Sequence, residues 1–526
     1  MKRRTRLVLI CAGSLGLAAC GARESESSVG SDVFAVSLSG DPGALDPHKA
    51  ATFAPAFLLA FAYEGLLARD AAGRLAPNLA ESWQQTVRSV TFTLRPGVTC
   101  ADGTPLTIED VAANYRFVLD PRNGSPQLGP GGVPPGTRLR VDRDRRRLTL
   151  DTPLPHSFLA ETAGALPIVC RNGLRDRRRL VRETLGTGLY QLARSVPNSH
   201  YELTRRAGYE WGADGTRSAS PGLPARVIVR IIPNPSTAAN LLLAGELNAA
   251  TVSGPDRQRL TAAGFRPIGS RGPAIQMWFN QAAGRPGADK RVRRALAMAV
   301  DPKWIGRIAM AGAGMPPVRL AGAAPMSCPE SIMDPPAIRF DPAAANRQLD
   351  EAGWRRGPDG IRQRDGRRLT LRLVWDHDLN DPTSSAYAAE YAGAQWRAVG
   401  VEVRSRGVSG AEVGEVLFGT GDYDISWVPI VVSMPSRFLL FASGDAPPKG
   451  LNFPHAGHPE LTKRIEQANQ VSGQQSCPLW NAIERSYLDQ AAVLPIVDSD
   501  NALLTRNARF RMNGLAIAPT SIRIGV

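Results

Sequence analysis

The chain has little of what catalysis most often uses. Its 526 residues include only six histidines, so few groups titrate near neutral pH or suit a transition metal. The sequence contains no Gly-x-Ser-x-Gly, His-Glu-x-x-His or Gly-x-x-x-x-Gly-Lys-Ser/Thr motif. The sequence therefore lacks the signature motifs of a hydrolase, a zinc protease and a P-loop nucleotide site. The sequence therefore predicts a protein that is not an enzyme and that uses no metal or cofactor.

Long apolar runs are also missing. The best candidate, residues 7–19, is too short to span a bilayer and follows a cluster of basic residues. This pattern is typical of a signal peptide. The run ends in Leu-Ala-Ala-Cys at residues 17–20, and small residues before a cysteine are what signal peptidase II requires.

We therefore expect a lipoprotein. Residues 1–19 would be removed, Cys20 would carry the lipid, and the small polar residues 20–30 would form a tether. Acyl chains on one residue hold a protein firmly on a membrane. The predicted location is extracytoplasmic, on the cell membrane, at its periplasmic side or at the cell surface.

Acidic residues are outnumbered. Lys and Arg total 63 against 48 Asp and Glu, which gives a net charge of +15. The arginines are scattered among turns without interleaved aromatics, and an exported protein rarely meets nucleic acid. We expect no nucleic-acid partner, a mild attraction to anionic lipid headgroups, and a monomer.

Cysteine is scarce as well. Four cysteines remain once Cys11 leaves with the signal peptide and Cys20 is lipidated: Cys100, Cys170, Cys328 and Cys477. Outside the cytoplasm four thiols suggest two disulfides, for which three connectivities exist. No Cys-x-x-Cys spacing indicates a zinc site.

The elements that are present alternate between strand and helix. Apolar residues alternate over 369–375 as in a strand, residues 385–399 have helical character, and a further strand begins at 401. Strand, helix and strand within so few residues predict a parallel β-α-β unit. Residues 423–432 predict another strand, and Thr107-x-x-Asp110 predicts a capped helix start. The fold class is therefore α/β.

A series of different short motifs, spread along nearly the whole chain, indicates a family. They are LDPHK at 45–49, YEGLL at 63–67, PNLAESW at 77–83, DGTPLT at 102–107, GTGxY at 186–190, LAGE at 243–246, VRRAL at 292–296, EAGW at 351–354, GDYD at 421–424 and LPI at 494–496. In this order they closely resemble family 5 of the extracellular solute-binding proteins, the peptide- and nickel-binding subunits of ABC importers.

The resemblance implies a two-lobed periplasmic-binding-protein fold of type II, similar to cluster C, with a hinge near Arg271 and Val493. The implied divisions are lobe I over 31–60, 186–270 and 495–526, an inserted subdomain over 61–185, and lobe II over 271–494. Closure of the lobes traps a solute and presents it to an ABC permease. The implied function is a membrane-anchored receptor for a peptide or a peptide-like, amphipathic molecule. The alternative is a related lipoprotein of envelope assembly or signalling that does not transport.

The resemblance also implies ligand-binding positions. They are Ala51, Phe53, Trp278, Asn280, Trp427, Asp498 and Ser499. For Trp278 and Trp427 the sequence leaves a second interpretation open, since aromatic residues in apolar strands usually pack in the core.

One departure from the family pattern bears on the ligand. Peptide-binding members place an Asp just after the Trp that corresponds to Trp427, where it pairs with the ligand's ammonium group. Here residues 428–432 are Val-Pro-Ile-Val-Val, so either Asp498 or Asp500 supplies that charge or the ligand is not an ordinary peptide. We expect a cleft that favours an amphipathic or uncharged ligand, or a peptide held by its backbone. The nickel-binding branch is not supported, because no histidine lies on a matched cleft strand.

The implied lobes select one disulfide pairing. Cys100 and Cys170 both fall in the inserted subdomain, and Cys328 and Cys477 both fall in lobe II. A bridge between lobes would obstruct hinge closure. We therefore predict Cys100–Cys170 and Cys328–Cys477.

Overall fold

The structure is a computed structural model that describes residues 30–50, 52–70, 73–129, 132–334, 336–377, 382–457, 459–500 and 502–525. The predicted signal peptide, the lipidation site Cys20, nearly all of the tether and the predicted ligand-binding residue Ala51 lie outside these ranges. No helix within them combines the length and the apolar character that crossing a membrane requires.

The strands of the first half are β1 Val33–Leu38, β2 Leu67–Arg69, β3 Leu75–Pro77, β4 Ala80–Gln85, β5 Ser89–Leu94, β6 Arg138–Asp142, β7 Arg147–Asp151, β8 Tyr190–Val196, β9 His200–Arg205, β10 Arg226–Ile231, β11 Ala249–Thr251, β12 Arg266–Ile268 and β13 Gly272–Phe279. Those of the second half are β14 Arg355–Arg356, β15 Arg362–Arg364, β16 Arg367–Arg368, β17 Thr370–Asp376, β18 Glu402–Val408, β19 Ile425–Trp427, β20 Val493–Ser499, β21 Leu503–Thr505, β22 Ala508–Arg509, β23 Met512–Asn513, β24 Ala516–Ile517 and β25 Arg523–Ile524.

The α-helices are α1 Phe53–Leu59, α2 Ile108–Leu119, α3 Leu159–Gly164, α4 Arg171–Arg175, α5 Pro235–Leu243, α6 Gly254–Ala262, α7 Lys290–Met298, α8 Pro302–Ala309, α9 Pro342–Glu351, α10 Pro382–Ala398, α11 Gly410–Glu415, α12 Pro435–Phe438, α13 Pro459–Asn469 and α14 Cys477–Asp489.

Two mixed sheets organise the chain into lobes. Within the described ranges, a seven-stranded sheet has the order β12-β21-β11-β1-β10-β9-β8, with β1 parallel to both β10 and β11. A five-stranded sheet has the order β18-β17-β19-β13-β20, with β17 parallel to β18 and β19. We call the first sheet with its helices lobe I (30–60, 186–268 and 503–525) and the second lobe II (272–499).

The range 61–185, predicted to be an inserted subdomain and called the subdomain below, carries the four-stranded antiparallel sheet β4-β5-β7-β6. Its apolar side chains and those of lobe I form one continuous core, so subdomain and lobe I pack as one body. Phe158 is an exception, because its buried ring belongs to a core cluster of lobe II. It lies against Trp480, with ring centroids 6.3 Å apart. The neighbouring Ser157 donates to the carbonyl of Ala468 over 2.8 Å.

The chain crosses between the sheets twice. The first crossing, residues 269–271, joins β12 to β13, and the second joins β20 to β21. At Gly269 an added Cβ would lie 1.8 Å from the carbonyl oxygen of Asp500, so only glycine lets the two crossings touch. The first crossing lies at the predicted hinge position.

The second crossing differs from the predicted boundary at 494–495. Strand β20 stays paired with β13 through Ser499, because its apolar residues pack in lobe II. The chain therefore returns to lobe I only between Ser499 and Leu503. The other domain limits stay predictions.

Most of the predicted elements are present. Thr107 caps α2 with a capping box, in which its hydroxyl accepts from the backbone of Asp110. The predicted β-α-β unit is formed by β17, α10 and β18. The strand predicted over 423–432 is wrong in length, since β19 ends at Trp427. Beyond it Pro429 has no N–H to give to a ladder, and the backbone turns away to other partners.

Both predicted disulfides are present. Cys100 is bonded to Cys170 within the inserted subdomain, and Cys328 is bonded to Cys477 within lobe II. Neither crosses between the lobes.

Candidate functional site

A cavity of about 210 Å³ lies where both lobes, the subdomain and the first crossing meet. Its walls are formed by Arg69 of the subdomain, Ser270 and Arg271 of the first crossing, residues 323–325, 431–433 and Arg437 of lobe II, and residues 513–515 of lobe I. We call it the interlobe cavity. Because both lobes contribute to it, a solute held there would contact both at once.

Gln276 of β13 builds one stretch of the lobe II wall. Its side-chain oxygen accepts from the N–H of Ile430 over 2.8 Å, and its backbone oxygen accepts from the N–H of Val428 over 3.2 Å. Its side-chain nitrogen donates to the carbonyl of Leu320 over 2.9 Å. Gln276 therefore holds the irregular segment after β19, through Val428 and Ile430, next to the wall segment that contains Leu320. These hydrogen bonds replace the ladder that a longer strand would have made.

The second stretch of that wall, residues 319–328, is held from behind by helix α14. Both carboxylate oxygens of Glu484 are used, since one binds the Arg319 guanidinium and the other accepts from the N–H of Leu320 over 2.9 Å and of Ala321 over 3.1 Å. Arg319 also donates to the carbonyl of Cys328. The Cys328–Cys477 disulfide closes the same segment onto the start of α14.

Two of the three arginines that line the cavity are already paired with acids. Arg69 donates to Glu161 over 2.7 Å within the subdomain, and Arg271 donates to Asp498 over 2.8 Å. Burial raises the pKa of Asp498, and the hydrogen bond from Arg271 opposes that shift. Each of these pairs is close to neutral toward the cavity.

Arg437 differs from both. It makes no ion pair within the described ranges, and its buried Nε has no hydrogen-bond partner there. Burial lowers the pKa of its guanidinium, Glu161 opposes this shift, and Arg69 adds to it. An arginine stays charged in proteins regardless. The cavity therefore carries one uncompensated positive charge.

Apolar side chains of both lobes also line the interlobe cavity. Val431 and Leu515 both line the cavity, and each residue is 38% exposed. Val431 belongs to lobe II and Leu515 to lobe I. A solute with an apolar body and a polar end fits these surroundings better than a purely polar one.

A second cavity of about 510 Å³ adjoins the first and shares Arg69, Pro325 and Asn513 with it. Glu64 also lines it, but its carboxylate accepts from Tyr209 over 2.6 Å and from Trp211 over 3.0 Å. Burial raises the pKa of Glu64, and these hydrogen bonds oppose the shift. This acid of the subdomain is therefore already bound by two side chains of lobe I.

A third cavity, of about 810 Å³, is lined by residues of lobe II. Arginines dominate its lining, but several are paired with acids of the same lobe, such as Arg372 with Asp424 over 3.1 Å. Among the described residues its lining comes from lobe II only, which does not give a solute contact with both lobes. In the described part of the chain, no group of three or more His, Cys, Asp and Glu could hold a metal ion.

Two of the expected ligand-binding residues lie in the core and not on the cavity. Trp278 is completely buried, stacks on Phe438 and donates to the carbonyl of Val428 over 3.1 Å. Asn280 is buried too, and its amide donates to the carbonyl of Tyr423 over 3.0 Å. The second interpretation given for Trp278, core packing, describes its place in the structure.

Two further aromatic residues do not line the interlobe cavity either. Trp427 is buried among the residues of lobe II, and its Nε1 has no hydrogen-bond partner in the described ranges. Phe53 begins α1 on the surface of lobe I, 43% exposed.

The acids considered as replacements for the missing Asp are engaged elsewhere. Asp498 is buried against Arg271, and Asp500 binds Arg257 of α6 over 2.5 Å. Ser499, also expected at the ligand, is buried at the end of β20 opposite Gly272. Neither acid is free to pair with a ligand's ammonium group.

The sequence did carry a signal for the residue that was overlooked. Arg437 is the only charged residue between Asp424 and Asp445. A lone charge within an apolar stretch of a predicted cleft segment indicates either an internal ion pair or a ligand contact.

Comparison with known proteins agrees with this architecture. A sequence model described as bacterial extracellular solute-binding proteins, family 5 Middle, matches residues 74–445. Protein XP55 of Streptomyces lividans is 31% identical over 360 residues, which cover 66% of this chain and 62% of that protein. The periplasmic murein peptide-binding protein MppA of Escherichia coli is 24% identical over 89% of this chain and 87% of its own length.

A solved structure extends the likeness to the fold. The oligopeptide-binding protein AppA from Bacillus subtilis, in complex with a nonapeptide, superposes with a TM-score of 0.72 at 18% identity. The match covers 94% of this chain and 98% of AppA.

Proposed function

The chain belongs to the bacterial extracellular solute-binding proteins of family 5, and from this membership we propose that it is the lipid-anchored receptor of an ABC importer. It binds solutes and is not an enzyme. In the proposed cycle, the two lobes enclose a peptide-like or amphipathic molecule and deliver it to a permease. The murein peptides named for MppA and the nonapeptide bound to AppA support a peptide-like ligand class.

The observation that carries the proposal is the interlobe cavity. It lies beside the two crossings, and residues of both lobes line it. A hinge-bending protein gains affinity from a solute only in the conformation in which both lobes touch it. The apolar residues Val431 and Leu515, one from each lobe, supply such a two-sided contact.

Native mass spectrometry of the protein purified from its own host tests the proposal. We expect a co-purified small molecule that is released on denaturation. Ala323 lines the cavity, so Ala323→Trp should fill it and abolish co-purification. Ala343→Trp, at an exposed position of α9, is the matched control and should retain the molecule. Equal loading of the two variants would contradict a solute site in this cavity.

Delivery requires a separate measurement. Once its mass identifies the co-purified molecule, its uptake is compared in cells with and without the gene. Loss of uptake supports the importer. Unchanged uptake together with intact binding would favour the alternative, a lipoprotein of envelope assembly or signalling.

The lipid anchor is tested at Cys20. Cys20→Ala should leave the precursor unprocessed or release the protein from the membrane fraction, because the modified thiol is lost. The Cys11→Ala variant, altered within the predicted signal peptide, is the control and should fractionate normally. Unchanged mass and fractionation of Cys20→Ala would rule the anchor out.

A further inference from the structure

The charges around the interlobe cavity do not balance. Arg69, Arg271 and Arg437 contribute three cations. Glu161 and Asp498 supply two anions, each already bound to its own arginine. The remaining positive charge belongs to Arg437, and no acid of the described ranges lies within ion-pair distance of it. Without a ligand, these three arginines and two acids together carry a net charge of about +1.

The guanidinium of Arg437 also lacks ordinary hydrogen-bond satisfaction. Its Nε is buried without a partner, as is the Nε of Arg319, but Arg319 is bound to Glu484. Arg69 likewise donates to Glu161 and to the carbonyl of Gly73 over 2.6 Å, whereas Arg437 donates to no acid in the described ranges. Buried polar groups in native proteins are nearly always bonded, and an exception calls for an explanation. A planar fork of donors in a cavity wall matches a carboxylate, which it can bind through two parallel hydrogen bonds.

The surroundings restrict the rest of the ligand. Among the described residues, no acid lines the cavity to neutralise an ammonium group, and Asp498 and Asp500 are bound by Arg271 and Arg257. Val431 and Leu515 present apolar surface from the two lobes. A single net charge suits a monovalent carboxylate better than a divalent phosphate.

From this geometry we propose that the protein selects amphipathic monocarboxylates without a free ammonium group, and that Arg437 is the residue that binds the carboxylate. The proposal rests on the solute-binding function proposed above and names the ligand class of that site. It keeps the expectation of an amphipathic ligand and differs from the expectation of an uncharged one, both of which stay predictions. In a site that anchors a peptide by its ammonium group, the protein supplies an acid. Here the protein supplies a cation, Arg437, which binds the ligand's carboxylate.

The test uses the full-length protein freed of co-purified solute and a series of N-acyl-leucines of increasing acyl length. Each compound is titrated calorimetrically as the free acid and as the primary amide, which differ only in the charged group. We expect at least one acid to bind about tenfold or more tightly than its amide, as loss of a charge-assisted bond implies. A third arm with leucine amides that carry a free ammonium group should bind weakest.

Variants then assign the preference to Arg437. Arg437→Gln should remove the preference for the acid while leaving the affinity for the amide unchanged, and Arg437→Lys should keep part of it. Arg464→Gln, an exposed arginine of α13 in the same lobe, is the control and should behave as the wild type. Thermal unfolding of each variant shows that it is folded.

The outcomes separate the two proposals. Equal affinity for acid and amide, an acid preference that survives Arg437→Gln, or a co-purified solute that is neutral or cationic would overturn the carboxylate site while the receptor function stands. If no compound of the series binds and no solute co-purifies, the receptor function itself fails, and the carboxylate site with it.

Discussion

Two arginines of lobe II occupy opposite situations. Arg319 is completely buried, and it is bound by the Glu484 carboxylate, by the side chain of Asn481 and by the Cys328 carbonyl. Arg437 lies at the cavity face with no acid within ion-pair distance among the described residues. The buried Nε of each arginine lacks a hydrogen-bond partner there, so the difference between the two is the acid that binds Arg319. Both belong to the structure of one wall, the first behind it and the second on its surface.

The difference separates a structural charge from a functional one. A buried charge that is paired and hydrogen-bonded contributes to a unique fold, and removal of its partner is strongly destabilising. A charge held without a partner destabilises the free protein and gains its compensation only when an anion arrives. Surroundings, and not burial alone, therefore distinguish the two roles.

The largest expected effect comes from breaking the structural pair. Glu484→Gln leaves the buried Arg319 charge without its counter-ion, so we expect the free energy of unfolding to fall by about 3–5 kcal/mol. Urea unfolding followed by fluorescence measures it. The control Glu460→Gln removes an exposed partner of Arg464, and we expect a change of about 0.5 kcal/mol or less.

An intermediate effect comes from the covalent support of the same wall. Removal of the Cys328–Cys477 bond by paired Ser substitutions should lower stability by about 2–4 kcal/mol and should also weaken capture of the co-purified solute. Removal of Cys100–Cys170 should lower stability similarly without affecting capture, because that bridge lies in the subdomain away from the cavity. Equal effects of the two removals on capture would contradict a role of the wall in binding.

The smallest stability effect is expected at the cavity face. Arg437→Met keeps the apolar stem and removes the unpaired charge, so stability should change by no more than about 1 kcal/mol, or rise. The same urea unfolding measures it. A loss of more than about 2 kcal/mol would show that Arg437 has structural partners and would remove the contrast with Arg319.

The fold could be predicted further than the site. Local signals were sufficient for α2, whose start is set by Thr107 and Asp110, and for the β-α-β unit, whose period the sequence displays directly. The pairing of the four cysteines followed from the lobes that the family resemblance implies. Each of these depends on short-range chemistry or on the order of elements.

The site could not be predicted in the same way because it depends on distant partners. Trp278 was expected at the ligand, but Phe438, far away in sequence, covers its ring. Asp498 was considered as a ligand group, but Arg271 binds it across the two strands that join the lobes. The length of β19 also depends on a distant partner, because the side chain of Gln276 bonds to Ile430 in the segment after β19. Which polar groups remain free for a ligand is settled only when all tertiary pairings are known.

The placement of Phe158 has a kinetic consequence. Its ring leaves the subdomain and is buried in lobe II beside Trp480, so separating the lobes returns that ring to water. Burial of a phenylalanine contributes about 1.5–3 kcal/mol, which corresponds to a roughly ten- to hundredfold slower opening step. In the proposed cycle, the residence time of a captured solute then depends partly on a residue outside the interlobe cavity. Natural variation at position 158 could change the dissociation rate without altering which solute is chosen.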